Sequence, residues 1–593
     1  MTALVSASRR VRLASKRQRL AVTARMRLTL VLAVFGLGMA SILMRLTFIG
    51  VFGEQAQAAS RSSHVDPGRG DIVDRNGVPL ARTIQGYAIR VVPERLIGDR
   101  KALAASLSEI FPDTSEARFL ALLNNKKPTY LRRRAVPEEV NKVHMLGEVG
   151  IEYPREQERF YPQLQLAAHV LGYVGHPERK NAAGQMVPSV AEEGMMGMER
   201  ALQKQLVDPV QRLTPAALSI DIRVQAALED ELGRAMKSYD AKAAAGIVLD
   251  VDTGEVMAMT SLPSFNPNRF DASSAPFEAN QVTYRFFELG STFKPLTVAA
   301  AIDAGTVTDL SRRYDATAPL KVGGFQIRDL HSQRRWLNVP ETLIHSSNIV
   351  TARIADELGP ERFQKVMRDL HFDRPAEINL HERAKPLWPA NWGRLTNMTV
   401  GYGHGIAVSP LHLASGYAAM VNGGLYRPAT LVKLDPREVP RGDQVFKPAT
   451  SARMRQLLRM IVKDGTGRKA DAPGFRVGGK TGSAEKPGAG GYKRSSVVAT
   501  FAAVFPMDAP RYVVLIMIDE PAGNQASSFQ RTAGWTAAPV VARLVPRIGP
   551  MLDIIPDDRR DVDVSELMPL LWKAPVKAQA TVKAKPKANN DDG

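Results

Sequence analysis

The sequence predicts an α+β protein exported behind one N-terminal membrane-spanning helix, and three observations predict it. An uncharged, mostly apolar run from Leu28 to Met44 follows a basic N-terminus. Apolar strand patterns at 243–261 and 475–519 bracket a long stretch of helical patterning from Ser291 to about Met460. The 593 residues, 44% hydrophobic and 23% charged, have the balance of a globular chain long enough for several domains.

The N-terminus is read first. Up to Arg25 the charged residues are Arg9, Arg10, Arg12, Lys16, Arg17, Arg19 and Arg25, with no acid among them. The apolar run continues past Arg45 from Leu46 to Phe52, long enough to cross a bilayer, and Arg45 can snorkel to the interface. The basic flank predicts a cytoplasmic tail at 1–27, a transmembrane anchor at 28–50, and the rest of the chain outside the cytoplasm. Ala56-Gln57-Ala58 resembles a signal-peptide cleavage site, but the apolar run is longer than a usual signal core, which favours an uncleaved anchor. The net charge of +19 also reflects a basic Ala/Pro-rich C-terminus. A span directly after the first basic segment makes that segment a topology signal, so no nucleic-acid partner is expected. With no cysteine, thiol catalysis, thiolate metal sites and disulfides are excluded.

Gly68 to Ala81 reads as a hairpin turning at Asn76-Gly77. From there to about Thr214, short strands mix with helices such as Asp99–Ile110 and Ser115–Asn124. No catalytic constellation is visible, and the abundance of Arg and Glu reads as a solvated platform. The region 62–220 is therefore expected to be a non-catalytic domain. A second domain, 221–550, opens with a helix from about Asp221 to Ser238 that carries Val224, Ala227, Leu228 and Leu232 on one face. Gly246–Val251 and Glu255–Ser261 form its first hairpin, and strands return at Phe475–Gly479, Val497–Phe505 and Tyr512–Asp519 before a helix near Thr536–Ile548. Strands from both ends predict one antiparallel sheet with helices packed on it. Residues 551–593 read as a tail, disordered at its end.

Chemistry concentrates at Ser291-Thr292-Phe293-Lys294, ahead of an alanine-rich apolar run ending at Gly305. The i, i+3 spacing puts Ser291 and Lys294 on one face of a first helical turn. A buried lysine there could be neutral and take the serine's proton; lowering its pKa to about 7–8 requires roughly 4 kcal/mol from its surroundings. A second copy of the pattern, Ser483-Ala484-Glu485-Lys486, runs into Pro487-Gly488-Ala489-Gly490-Gly491 and cannot continue a helix. On this reading Lys486 is mobile, solvated and cationic. Ser346-Ser347-Asn348 offers a hydroxyl and an amide between apolar segments. Ser264-Phe265-Asn266 repeats that spacing in a Pro-rich loop. Lys480-Thr481-Gly482 ends a predicted strand with a cation, a hydroxyl donor for a carboxylate, and a glycine that lets a ligand approach the backbone. The ten histidines show no metal-ligand spacing, and neither metal nor cofactor is expected.

The motifs S-x-x-K, S-x-N and K-T-G in this order resemble those of penicillin-binding proteins and β-lactamases. Gly70-Asp71-Ile72-Val73-Asp74-Arg75-Asn76-Gly77 resembles the hairpin opening the elongated, non-catalytic pedestal (dimerisation or partner) domain of class B penicillin-binding proteins, and Ser261–Asn268 and Gly401-Tyr402-Gly403 also look like that family. Ser346-Ser347-Asn348, Pro510-Arg511-Tyr512 and Asp519-Glu520-Pro521 look more like the cell-division member than the elongation member. Leu289, Gln281 and His412 stand where the pattern has proline, arginine and glutamine.

The resemblance implies a penicillin-sensitive peptidoglycan D,D-transpeptidase acting at the division septum from the inner membrane, with its catalytic domain periplasmic. Ser291 would attack the penultimate D-Ala of a donor stem peptide, with Lys294 as base under the field of Lys480. Ser346 would relay a proton to the leaving D-Ala, and Asn348 would hold the donor amide and Lys294. Thr481 and Ser483 would bind the terminal carboxylate beside Gly482, and the amides of Ser291 and Ser483 would form the oxyanion hole. A second stem peptide's amine would then take the acyl group. Implied partners are the membrane, β-lactams, a lipid-linked glycan polymerase and other division-complex membrane proteins. An elongation-specific transpeptidase, a D,D-carboxypeptidase or β-lactamase, a penicillin-sensing receptor and an idle scaffold are the alternatives.

Overall fold

In a computed structural model of the chain, residues 2–48, 68–180, 186–189, 192–270, 277–488 and 491–572 are described. They fall into two units, 1–68 and 69–593. The first is a single helix, α1 (Thr2–Phe48), in which Arg25–Arg45 has a mean hydropathy of 2.0. Those 21 residues are long and apolar enough to cross a membrane. The basic segment and the apolar run share this helix, so the expected boundary at 27/28 is one of composition and not of backbone. Residues 49–50 and the Ala56-Gln57-Ala58 sequence lie outside the described residues.

The second unit begins at the predicted hairpin. Asp74 Oδ1 accepts from the amides of Asn76 and Val78, both at 2.8 Å, and Gly77 takes a φ of +85°, which a side chain would resist. The turn joins β1 (Ile72–Val73) to β2 (Pro79–Val91), a 13-residue strand that also pairs with later strands of the same sheet. Asp99 and Ser115 cap the two predicted helices, α2 (Arg100–Ile110) and α3 (Glu116–Leu123). These helices close a core of Ile89, Val91, Leu107, Phe111 and Phe119. The region is thus more than a solvated platform. One of its acids, Glu199, is fully buried between Arg69 and Arg159, because two guanidinium groups there offset its desolvation.

The C-terminal part is built on one five-stranded antiparallel sheet. Its strands are β3 (Ala243–Asp250), β4 (Val256–Leu262), β5 (Gly478–Gly488), β6 (Gly491–Phe505) and β7 (Tyr512–Asp519). The order is β4-β3-β7-β6-β5, so strands from both ends of the sequence meet and β5 lies at an edge. Alternate side chains of β7 point to opposite faces. Val514, Ile516 and Ile518 join Val224, Leu228 and Leu232 of α4 (Ile222–Ser238), while Val513, Leu515 and Met517 share a cluster with Phe293, Leu296 and Tyr417. Both faces are covered, which is why these strands read as continuous apolar runs.

Two predicted elements differ. Of the expected strand Phe475–Gly479, only Gly478 and Gly479 are strand: Phe475 N closes a turn onto Ala472 O and Arg476 sits at φ +51°, pinned to Asp508 at 2.6 Å. The strand starts at Gly478, so Lys480-Thr481-Gly482 lies within β5 and not at its end. The expected tail from 551 also needs correction. Residues 551–572 pack on the domain, with Leu567 buried and Arg459 paired to Asp561 at 2.9 Å. The remainder, 573–593, lies outside the described residues.

Candidate active site

Ser291 occupies a short 3-10 turn, Gly290–Phe293, that leads into α5 (Lys294–Asp303). Pro295 falls in the first turn of α5, where its missing N–H costs nothing, and Gly305 follows its end at φ +71°. Neither Gly290 nor Ser291 caps the helix through a side chain; the tighter turn replaces the expected cap. Three contacts fix this turn. Tyr417, on the wholly buried α6 (Pro410–Val421), donates its hydroxyl to Thr292 O at 2.8 Å. Gly290 N donates to Gly403 O at 3.2 Å, and a Cβ on Gly403 would lie 2.1 Å from Gly290 O. A Cβ on Gly482 would lie 2.4 Å from Leu289 O. The glycine of K-T-G therefore lets edge strand β5 approach the serine turn backbone to backbone.

Lys294 and Lys480 are both fully buried, and one hydroxyl joins them. Ser346 Oγ accepts from Lys294 Nζ at 3.1 Å and from Lys480 Nζ at 3.0 Å, and Ser346 O accepts from Lys294 Nζ as well. Ser346 reaches this position as the left-handed C-terminal cap, φ +59°, of α7 (Val339–His345). Burial lowers Lys294 to about 7, opposed by the negative charge of Asp329. Burial also lowers Lys480 well below the usual lysine range, and the charge of Lys294 adds to the effect. The expectation of Lys480 as a cation is therefore incomplete, because the two amino groups share one dry site.

Asn348 is placed differently from the expectation. It opens α8 (Asn348–Leu358), and its Nδ2 donates to Arg328 O at 2.9 Å, not to a partner at Lys294. The middle residue of the motif is the structural one: Ser347 Oγ caps α8 by accepting from Val350 N and donates to Asp329 Oδ2 at 2.8 Å. Asp329 belongs to no motif, and only its proximity in the fold reveals it. Thr481 Oγ1 lies 2.9 Å from Thr466 Oγ1 and 3.2 Å from Lys480 Nζ. Ser483 Oγ accepts from Ala533 N at 2.9 Å.

The second S-x-x-K copy is held in β5, and Lys486 is neither mobile nor free. Its Nζ contacts Asp519 at 2.6 Å and Glu520 at 3.0 Å, and hydrogen bonds to both acids raise its pKa despite partial burial. It stays cationic, as expected, for a different reason. The second S-x-N copy also sits elsewhere: Ser264 Oγ donates to Gln165 O, and Asn266 caps a short turn. His412, one of the departures from the motif pattern, is lowered to about 4 by burial and spans Ser409 Oγ and Arg374 O. Among the described residues no group of three His, Asp or Glu side chains converges as a metal site.

A half-buried serine beside a lysine lowered to about 7, a hydroxyl bridging two buried lysines and an edge strand form a set suited to acyl transfer. The comparisons agree with that chemistry. The family model of the penicillin-binding protein transpeptidase domain matches residues 244–545, and that of the penicillin-binding protein dimerisation domain matches 64–207. The chain is 37% identical over 544 residues to the probable peptidoglycan D,D-transpeptidase FtsI of Caulobacter vibrioides, covering 89% of each. It is 29% identical over 542 residues to the peptidoglycan D,D-transpeptidase FtsI of Escherichia coli, covering 86% of this chain and 88% of the relative. The TP domain of Burkholderia pseudomallei penicillin-binding protein 3, solved in its apo form, aligns with a TM-score of 0.52 and 30% identity, covering 57% of this chain and 97% of that one.

Proposed function

The chain belongs to the penicillin-binding protein transpeptidases, and we propose that it is a class B, division-type enzyme cross-linking peptidoglycan stem peptides through an acyl-enzyme on Ser291. The observation that carries this reading is Ser346 Oγ held between the two buried lysines next to the Ser291 turn. Lys480 Nζ has three acceptors, Thr481 O, Thr481 Oγ1 and Ser346 Oγ, whereas Lys294 Nζ has two, both on Ser346. An ammonium has three protons to place, so the shared proton is assigned to Lys480 and the lone pair to Lys294.

Lys294 then takes the proton of Ser291 as Oγ attacks the carbonyl of the penultimate D-Ala. The tetrahedral oxyanion is met by backbone amides of the serine turn and β5, a kind of contact worth about 2.7–4 kcal/mol per donor. The proton passes through Ser346 to the leaving D-Ala nitrogen as the C–N bond breaks. An acceptor amine attacks the resulting ester, its proton returns to Lys294 or Ser291, and the cross-link is released. A β-lactam acylates the same serine, with its leaving nitrogen still tethered. Thr481 and Ser483 bind the terminal carboxylate, and Asn348 holds the donor amide once substrate draws it from Arg328 O.

Incubation of the detergent-extracted chain with a D-Ala-D-Ala donor, with and without an amine acceptor, tests the reaction. A cross-linked product with acceptor present is expected; free carboxylate alone in both cases would make the enzyme a carboxypeptidase. The FtsI names of the relatives support a septal site over an elongating one, and α1 supports a retained single-pass anchor with a cytoplasmic N-terminus and a periplasmic catalytic domain. A uniform distribution in dividing cells would refute the first, and a mature N-terminus near Ala59 the second. The region 62–220, whose sequence carries no catalytic motif, is proposed to contact a lipid-linked glycan polymerase and other division-complex proteins. Cross-linking in cells from that region should capture such a partner, and full complementation by a chain lacking it would contradict the proposal.

A further inference from the structure

Ser346 must sit within hydrogen-bond reach of two lysines on different elements, yet α7, which carries it, has only seven residues. So short a helix has little stability of its own and takes its position from what holds its ends. Its start is a reciprocal capping box, with Glu341 N donating to Asn338 Oδ1 at 3.0 Å and Asn338 N donating to Glu341 Oε2 at 3.1 Å. Both capping side chains are buried, and each has one polar group left over. The C-terminal segment fills both. Asn338 Nδ2 donates to Leu570 O at 2.7 Å, and Trp572 N donates to Glu341 Oε1 at 2.9 Å.

Arg335 completes the closure. Its Nη1 donates to Glu341 Oε1 at 2.8 Å, its guanidinium lies 5.0 Å from the centre of the Trp572 ring, and its Nη2 is 3.3 Å from Nε2 of His345, the residue before Ser346. The same C-terminal segment reaches the other motif strand. It crosses α9 (Pro448–Asp464), where Gln456 Nε2 donates to Asp563 O at 2.7 Å and Asp561 takes Arg459 Nε at 2.9 Å. Arg459 Nη1 in turn donates to Val477 O at 2.8 Å, at the entry to the strand carrying Lys480. One stretch of chain, 556–572, therefore ties the helix that presents Ser346 to the strand that presents Lys480.

We propose that residues 556–572 are a positioning strap for acylation: they hold the Ser346 helix and the K-T-G strand at the spacing at which Ser346 bridges both lysines. The strap touches no reacting atom, and the proposal rests on the reading of Ser291 as the acylated serine. Its expected signature is a slower chemical step in correctly folded protein, because misplacing a reacting constellation by a fraction of an ångström costs about 10- to 100-fold.

The test uses the full-length protein in detergent, labelled with a fluorescent penicillin, with the binding constant and the acylation rate constant separated. A chain ended after Trp572 should behave as wild type. A chain ended after Pro569, which loses Leu570 and Trp572, should label to the same final stoichiometry with an acylation rate constant about 10- to 100-fold lower and binding little changed. Asp561→Asn should shift the rate in the same direction, and Trp572→Gly should slow it while Trp572→Phe, which keeps a ring under Arg335, restores it. A rate constant within about twofold of wild type, with only the labelled fraction reduced, makes the segment a mere stabilising brace and overturns the proposal. If the shortened chain does not fold, Trp572→Gly decides by the same criterion. No label on the unaltered chain sinks the proposed function and this inference with it; normal labelling of both wild type and variants sinks this inference alone.

Discussion

Replacing Lys294 by methionine should stabilise the protein while stopping acylation. The wild-type ammonium is fully buried, and its pKa falls from 10.5 to about 7. At about 1.4 kcal/mol per pH unit, that drop corresponds to about 5 kcal/mol held against the folded state at neutral pH. The sign follows from the depressed value. Between about 7 and 10.5 the unfolded chain holds the proton and the folded one does not, so stability rises with pH through that window. The penalty is complete below it and gone above it. Methionine removes the penalty and fills the space, but it leaves Ser346 O without the donor it had, at about 1–3 kcal/mol, while Ser346 Oγ keeps Lys480 Nζ. Relief of Lys480 from a neighbouring charge adds a smaller gain. A net stabilisation of about 2–4 kcal/mol at pH 7 is expected, shrinking toward zero or reversing by pH 10.5. Paired denaturation curves of wild type and variant at both pH values measure it, since titrating groups remote from Lys294 cancel in the difference. Loss of the base should lower penicillin acylation by about 10²- to 10⁴-fold. A variant less stable at pH 7, or one whose advantage is the same at pH 10.5, would refute the assignment of a dry, strained lysine.

Other perturbations probe the surroundings. The acylation rate of wild type should rise with pH through an apparent midpoint near 7, as Lys294 loses its proton, and a flat profile from pH 6 to 8 would remove it as the base. Gly403→Ala would put a Cβ 2.1 Å from Gly290 O at φ +82°, so acylation should fall more than tenfold, read by labelling kinetics, with some loss of thermal stability. Lys486→Met breaks contacts to Asp519 and Glu520 that are only partly shielded; a loss of about 1 kcal/mol in denaturant and a labelled serine unchanged in identity are expected.

Much of the fold was legible because local chemistry and packing agree. Asp74, Asp99, Ser115 and Asp221 stand where a turn or cap needs them, and the apolar strands of both ends could close only on each other. The three motifs led to Ser291, Lys294, Ser346 and Lys480 through residue types and order. What stayed hidden depends on approach in space. Arg476 breaks the first half of the stretch expected as a strand, taking φ +51° where its side chain pairs with Asp508. Asp329, Tyr417 and Gly403 bear on the site only through contacts across the fold, and nothing around them in sequence marks them. The acidic, proline-containing stretch 556–572 has the composition of a tail; its order comes from Arg459, Asn338 and Glu341, each distant in sequence.

The central claim, that Ser291 and not Ser483 is acylated, is tested most directly by trapping the protein with a penicillin and mapping the modified peptide. Ser291 stands one helical turn from a lysine lowered to about 7, whereas Ser483 Oγ accepts from Ala533 N and Lys486 is held cationic by two acids. The adduct should fall on Ser291, vanish in Ser291→Ala, and persist in Ser483→Ala, whose backbone amide survives the change. An adduct on Ser483, or persistent acylation in a folded Ser291→Ala protein, would contradict the account.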